Sequence, residues 1–519
     1  MSMEAITANS DQPTSTGVKD ALRKQIRGTG LLLAGRVLSV AVTALTQVLI
    51  ARSLSTHDYG AWAYALSVVL LWQTLSSFGF QEAIPRFVSF YQEGKDYPRL
   101  FGTILLAVGS IIVSGALVIA LFFISPDKLL ALVHEEKQSL TVLSILICMV
   151  PVEALDGVLI GLFAALASPR AIFFRRHVLA PLLRLAVVLL LIALKTDAVF
   201  LAYGYLASSV LGMLVCGGIL VRHMERNGLS AHFHPREIHL PVRELFSFVL
   251  PMMTSDLIPV MKGTVIVLLL GRHCGLRDVA LYLVVMPAAN MNCIVGITAG
   301  VLYMPLATRL LARGDQKGLV QLYWRTAAWV AVLSFPIFVA TFAFARPLTI
   351  GLFGARYADA SLILSILSAG CFFEVMWGFN GLTLKALNKG GYIVTCNVLT
   401  AVMTCGLALV LIPSYGALGA AITDAAAMVT IAILRQMALR LAVGVELFDS
   451  KFLALYLFIV AAAAPLFIVR SVVGSHLYVG MVLGLLSMAA VLLVTRKELR
   501  IPEIFPESIR LPLMSRFFA

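Results

Sequence analysis

Eight ionisable side chains, Arg36, Glu153, Asp156, Arg184, Asp256, Lys262, Glu374 and Asp424, stand well inside runs of hydrophobic residues. If all of them faced lipid at about 3 kcal/mol each, the sum of roughly 24 kcal/mol would exceed a typical net stability of about 5–15 kcal/mol. They must therefore face protein or water, either pairing with one another across helices or contacting a cargo. Their spacing suggests what they could do. Arg36, Ser39, Thr43 and Gln47 follow i, i+3, i+7, i+11 spacing, a polar stripe along one face of an otherwise apolar helix that would line a cavity. Glu153 and Asp156 lie one turn apart, and two acids on one face suit a proton or cation site. The rival reading is a fixed salt bridge to Arg184 or Arg175. Asp424 stands alone in its helix.

The elements that must hold these groups are membrane helices. The chain of 519 residues is 60% hydrophobic and 13% charged, far from the balance of a soluble domain. Apolar stretches long enough to span a bilayer recur along it and predict about fourteen helices, the first near 29–51 and the last two near 452–470 and 474–495. Residues 1–28 carry no short apolar core with a cleavage site, so a solvated cytoplasmic tail is expected there rather than a signal peptide. Lysine and arginine favour one side of this topology by roughly three to one, which places both termini in the cytoplasm. That bias, beside anionic lipid head groups, accounts for the net charge of +13 without any nucleic-acid partner.

Aligning the chain with itself reveals a repeat. Arg52, Asp58, Trp62, Pro85 and Gly94 match Arg272, Asp278, Tyr282, Pro305 and Gly314 at one constant offset of 220 positions. Six helices separate the copies, so the chain returns to the same side of the membrane, and the halves are parallel repeats about an axis along the membrane normal. The expected organisation is a six-helix lobe over 29–221, a cytoplasmic connector over 222–244, a second six-helix lobe over 245–441, helices 13 and 14 within 442–495, and a cytoplasmic tail over 496–519. Position 36 maps onto 256, so Arg36 and Asp256 are expected to approach across the central cavity in one state and separate in another. Lys262, further along helix 7, could take over the partner of Asp256 or hold an anion. Glu374 falls within one residue of the equivalent of the acidic pair. Arg52 and Arg272 would form a matched basic rim at the outer ends of helices 1 and 7.

Several chemistries find no support in the sequence. The segment "HEEK" at 134–137 lacks the second histidine of a zinc helix, and neither GxxxxGK[ST] nor GxSxG occurs, so an enzyme is not expected. The connector histidines His232, His234 and His239 have no cysteine or carboxylate at ligand spacing, and no metal or cofactor is expected. The seven cysteines contain no CxxC and read as small core residues.

The stretch "GRVLSVAVTALTQVLIARSLSTHDYGAWAYALSVV" with "PRFVSFYQEGKD", and later "LFGARYADASLILSILS" and "LIPSYGALGAAITDAAA", resembles the O-antigen and exopolysaccharide flippases of the multidrug/oligosaccharidyl-lipid/polysaccharide exporter superfamily. The resemblance covers about residues 25–440. It implies an all-α membrane protein with two six-helix lobes in a V around a central cavity, plus two C-terminal helices. It also implies movement of an undecaprenyl-pyrophosphate-linked oligosaccharide across a bacterial inner membrane by alternating access, powered by membrane potential or a proton or sodium gradient, alongside other polysaccharide assembly proteins. In that light Arg36, Arg52, Arg272, Lys262 and Gln47 become candidates for the pyrophosphate and the cavity. Asp256, Glu153, Asp156, Glu374, Asp424 and Arg184 become candidates for ion coupling and gating, and Trp62, Tyr64 and Trp72 for sugar contacts. The related lipid II flippases carry additional charge midway along helix 1, whereas this chain has Val42-Thr43-Ala44, which argues against lipid II as cargo. The competing reading is a multidrug/cation antiporter of the same superfamily.

Overall fold

The computed structural model describes residues 35, 38–124, 137–166, 168–444, 482 and 486. A backbone in lipid finds no water for its N–H and C=O groups, so apolar runs of this length fold as helices that satisfy those groups internally. Helix α1 is Leu38–Ser53, α2 Thr56–Glu93, α3 Tyr97–Ile124, α4 Ser139–Ala165, α5 Arg170–Leu194 and α6 Ala198–Arg226. After a connector with two short 3-10 turns come α7 Val242–Cys274, α8 Leu276–Ala312, α9 Gln316–Phe342 and α10 Ala360–Ala386. The long helix Gly390–Val443 breaks at Gly416, whose φ of 56° and ψ of −133° are non-helical. We call its parts α11 (390–415) and α12 (417–443).

That break reverses the chain. Thr430 donates to the sulfur of Met403 at 3.2 Å, and Arg435 donates to Asn397 Oδ1 at 3.1 Å. The two residue numbers in each pair have nearly the same sum, the signature of an antiparallel hairpin. The described residues thus hold ten helices long and apolar enough to cross a membrane, one of them folded back as the α11–α12 hairpin, and the shorter apolar helix α1. The helices predicted near 452–470 and 474–495, and the tails over 1–28 and 496–519, lie outside the described residues. Leu117 on α3, Leu190 on α5 and Val410 on α11 are exposed, as expected of surfaces solvated by lipid. The protein is a multi-pass membrane protein.

Loop residues fix the helix starts. The Ser55 hydroxyl accepts from the Asp58 N–H at 3.0 Å and donates to its carboxylate at 2.8 Å, opening α2. Asp197 and Asp315 cap α6 and α9 in the same way, accepting from the N–H groups of Phe200 and Gly318. The connector is tied to the start of α3: His232 stacks on Tyr97 with ring centres 4.1 Å apart, and the His239 N–H donates to the Pro98 carbonyl at 3.3 Å.

The two halves meet unequally at their two ends. At the end away from the connector, the far end, one continuous buried core includes Ile50, Tyr59 and Leu201 of the first half with Leu270, Val279, Tyr357 and Ile412 of the second. Towards the connector end this core gives way to separate clusters. One holds Phe80, Leu162 and Leu220 with the first turns of α7, and others hold Tyr303, Trp324, Leu384 and Leu439 of the second half. The halves thus share one core at the far end, while towards the connector they stay joined where α7 packs on the first half, and the other clusters belong to the second half alone.

The seams between the halves differ as well. Helix α7 follows α2 antiparallel along its whole length. Tyr64 packs on Gly271, the Thr264 hydroxyl donates to the Ser67 carbonyl at 3.2 Å, Phe246 meets Phe78 and Phe80, and the Tyr91 hydroxyl donates to Glu244 at 2.7 Å. The repeat makes α1 and α8 the counterpart pair, and between them lies a cavity of about 300 Å³.

Gly419 sits where the α11–α12 hairpin closes, and an added Cβ there would fall on the Leu411 carbonyl. Gly419→Val is expected to destabilise the protein by about 1–3 kcal/mol, read as a lower thermal midpoint in detergent. Gly406→Ala, at a position with open space around it, should leave that midpoint nearly unchanged.

Candidate functional site

A built polar site lies within the first half, a cavity of about 410 Å³ walled by α1, α2, α4, α5 and α6. Helix α1 contributes Ser39, Thr43, Thr46 and Gln47, and α2 contributes Trp62, Gln73 and Gln81. The polar stripe of α1 therefore faces a cavity. Ser39, Thr43 and Gln47 also line the α1–α8 seam, opposite Pro287, Asn290, Met291, Ile294 and Ile297. Arg36, one turn before Ser39, lies outside the described residues, so its expected approach to Asp256 does too.

Charge enters this cavity from α4 and α5 as two neutralised pairs. Arg175 donates through Nε to Asp156 Oδ1 at 2.7 Å, with both groups buried. Arg184 donates to Glu153 Oε1 at 2.9 Å, and the Ser209 hydroxyl donates to the same oxygen at 2.7 Å. Glu153 and Asp156 do not form the like-charge pair that their spacing invites, because each carboxylate has its own guanidinium. The reason lies in α5. Its segment Phe174–Leu179 is a π-turn running into Pro181, which has no N–H to return to the preceding turn. Arg175 and Arg176 sit on this widened turn. Gly212 of α6 leaves the room that the Arg175 side chain fills, since an added Cβ would stand 2.9 Å from its guanidinium.

Arg176 also lines the cavity and is exposed, and no ion pair joins it to a described carboxylate. The described charges of the cavity are thus three guanidinium groups against two carboxylates. The remaining lining suits a polyhydroxylated guest. Gln47, Gln73 and Gln81 offer amide donors and acceptors. Trp62 packs edge-on to Tyr205 at 5.5 Å, and its buried indole N–H has no hydrogen-bond partner. The Arg184 guanidinium lies 5.5 Å from the centre of the Tyr205 ring.

The second half pairs its charges differently. Lys262 of α7 donates to Asp424 Oδ1 of α12 at 2.9 Å, and the Tyr282 hydroxyl of α8 reaches Oδ2 at 3.2 Å. Asp424 is therefore not isolated, and Lys262 is committed to it rather than standing open to an anion or to a partner of Asp256. Glu374 faces Arg435 at 3.9 Å. Asp256 is exposed on α7, with Lys385 of α10 the basic group acting on it.

The expected matched rim is asymmetric. Arg272 is exposed at the end of α7. Arg52 instead donates to the carbonyls of Leu352, at 2.7 Å, and Gly351. Of the three aromatics proposed for sugar contacts only Trp62 lines the cavity: Tyr64 is buried against Gly271 in the α2–α7 seam, and Trp72 packs half-buried on the far-end core. Sequence reasoning missed Gln73, Gln81 and Arg176. The eight-residue spacing of the two glutamines on an apolar helix was the available signal, obscured by the break at Phe78 and Gly79, whose φ values are 48° and 77°. Among the described residues no cluster of three potential metal ligands occurs.

Residues 26–303 match the sequence profile of a family described as "Polysaccharide biosynthesis protein". The chain belongs to that family. It is 22% identical over 419 residues to an uncharacterized membrane protein of Methanocaldococcus jannaschii, covering 77% of this chain and 81% of the relative. Its fold matches a lipid II flippase, MurJ, in an inward closed conformation, with a TM-score of 0.73 and 11% identity over 90% of this chain and 99% of that one. It also matches an inward-facing multidrug resistance MATE family transporter, with a TM-score of 0.65 and 13% identity over 78% of this chain and 94% of that one. At these identities the likeness to both structures is one of fold.

If the Asp156–Arg175 pair is an internal strut, Arg175→Met alone leaves a buried carboxylate uncompensated and is expected to cost about 3–5 kcal/mol. Combining it with Asp156→Leu should restore most of the loss. Thermal unfolding of the purified single and double variants in one detergent measures both.

Proposed function

We propose that the protein is a flippase that carries an undecaprenyl-pyrophosphate-linked oligosaccharide repeat unit across a bacterial inner membrane for polysaccharide assembly, by alternating access. The observation that supports this most is the continuity of two unlike spaces along α1: a polar cavity of about 410 Å³ and a mostly apolar seam of about 300 Å³ share Ser39, Thr43 and Gln47 as a common wall. A head group rich in hydroxyls suits the first, and the start of a polyprenyl chain suits the second. Such a joined pair fits an amphiphile whose polar and apolar ends must cross together.

In this reading the connector end and both termini are cytoplasmic, and the structure represents the state that loads from the cytoplasmic side. Arg176, with Arg36 one turn ahead of the stripe, supplies positive charge for the pyrophosphate or an acidic sugar. Gln73, Gln81 and Trp62 read sugar hydroxyls. The paired acids Glu153, Asp156, Glu374 and Asp424, together with Asp256, are candidates for taking up a proton or sodium ion as the halves rock. The excess of guanidinium over carboxylate in the polar cavity disfavours a cationic drug as cargo.

Cells lacking the gene are expected to accumulate lipid-linked repeat units in the cytoplasmic leaflet and to lose surface polysaccharide. Arg176→Ala and Gln73→Ala, at matched protein levels, should each restore export at least about tenfold less well than the wild type, a loss equal to roughly one charge-assisted or buried hydrogen bond. Normal polysaccharide in the deletion strain, with raised sensitivity to cationic drugs, would replace this reading with the antiporter.

A further inference from the structure

At the far end, two helix C-termini exchange caps across the two halves. Helix α1 ends at Ser53, and the short helix Ala345–Phe353 ends in the loop that leads into α10. Arg52 donates to the Leu352 and Gly351 carbonyls in the last turn of that short helix. In return, Arg356 donates to the Ala51 carbonyl at 3.0 Å and to the Arg52 carbonyl in the last turn of α1. Last-turn carbonyls lack partners within their own helix and carry the negative end of its dipole, so each guanidinium meets a complementary site in the opposite half. The exchange forms a clasp that ties the first half to the second.

The clasp connects to the cavity through a short buried path. Gln47 lies one turn before Ala51 on α1 and borders both cavities. Its Nε2 donates to the Tyr59 hydroxyl at 2.6 Å. Tyr59 is fully buried, and its ring stands edge-on to that of Tyr357, with centres 6.1 Å apart. Tyr357, fully buried as well, follows Arg356 in the chain.

We propose that Gln47 is the positioning residue through which an occupied cavity releases the far-end clasp, a step that rests on the flippase reading given above. A guest that takes the Gln47 amide for its own hydroxyl or acetamido group removes the partner of the Tyr59 hydroxyl. A buried hydroxyl without a partner is unfavourable, and water reaches it only if the far-end core parts. Binding is therefore stronger in the state with the far end open, which is the condition for a ligand to shift the balance between two states. Opening also frees Arg52 and Arg356 at the mouth where a pyrophosphate would leave.

The test is the distance distribution between spin labels at Ser53→Cys and Ala355→Cys, with the native cysteines replaced by serine, in lipid nanodiscs. Without ligand, Arg52→Ala with Arg356→Ala is expected to raise the ratio of long to short distances about tenfold. Gln47→Ala should do the same by orphaning the Tyr59 hydroxyl, and Tyr59→Phe added to Gln47→Ala should return the ratio to that of the parent. Thr308→Ala, at an exposed position on α8 whose hydroxyl returns to the Met304 carbonyl of its own helix, should leave it unchanged. The probe for the ligand arm is the lipid extract of cells lacking the gene, compared with extract from cells that express it. The parent is expected to open with the first extract, and Gln47→Ala with Tyr59→Phe to ignore it.

A Gln47→Ala chain that stays closed, or a double variant that stays open, overturns the proposal. Equal response of the parent and the double variant to the extract overturns the trigger and leaves the flippase reading standing. A parent that ignores the extract, while the unliganded variants behave as expected, counts against the flippase reading and removes the trigger with it.

Discussion

A charge taken into a bilayer must be matched by the protein itself, and much of the arrangement described here follows from that requirement. Burying Asp156 demands Arg175, which demands the wide π-turn before Pro181 and the bare backbone at Gly212. Glu153 recruits Arg184 and Ser209 in the same way. Together these matches pin α4, α5 and α6 to one another and hold open the polar space between them and α1. In the second half Asp424 performs the equivalent service, drawing α7 and α8 onto α12 through Lys262 and Tyr282.

Hydropathy made the spans legible, because a helix long enough to cross lipid leaves a run that no soluble protein would show. The stripe on α1 was legible for a related reason: its side chains recur at helical spacing, and that face does border a cavity. Partners were not legible. Asp424 stands solitary in the sequence because its cation is 162 positions away on a helix whose packing no local pattern records. The spacing of Glu153 and Asp156 shows two acids on one face but not the arginines that separate their charges. Turns set by a single residue, such as the reversal at Gly416, were visible only as a plausible boundary.

The internal repeat taught a subtler lesson. It pairs Arg52 with Arg272 and α1–α8 with α2–α7, yet the structure treats each member of a pair differently. A repeat in sequence describes two halves averaged over every state the protein visits. A structure catches one state, in which the halves pack along the whole of α2 and α7 but leave a cavity between α1 and α8, and the symmetry is broken there. Arg356 grips α1 there, whereas Arg272, the counterpart of Arg52 in the repeat, stands exposed.

One helix face serves two spaces, since Ser39, Thr43 and Gln47 border the polar cavity and the apolar seam alike. If the proposed amphiphile fills both, descendants of this chain that change cargo are not free to remodel that face for one end of a new molecule without disturbing the fit of the other. Divergence in cargo choice should instead collect on walls that belong to a single space, such as the glutamines of α2 or the apolar rim of α8, while the α1 face drifts slowly.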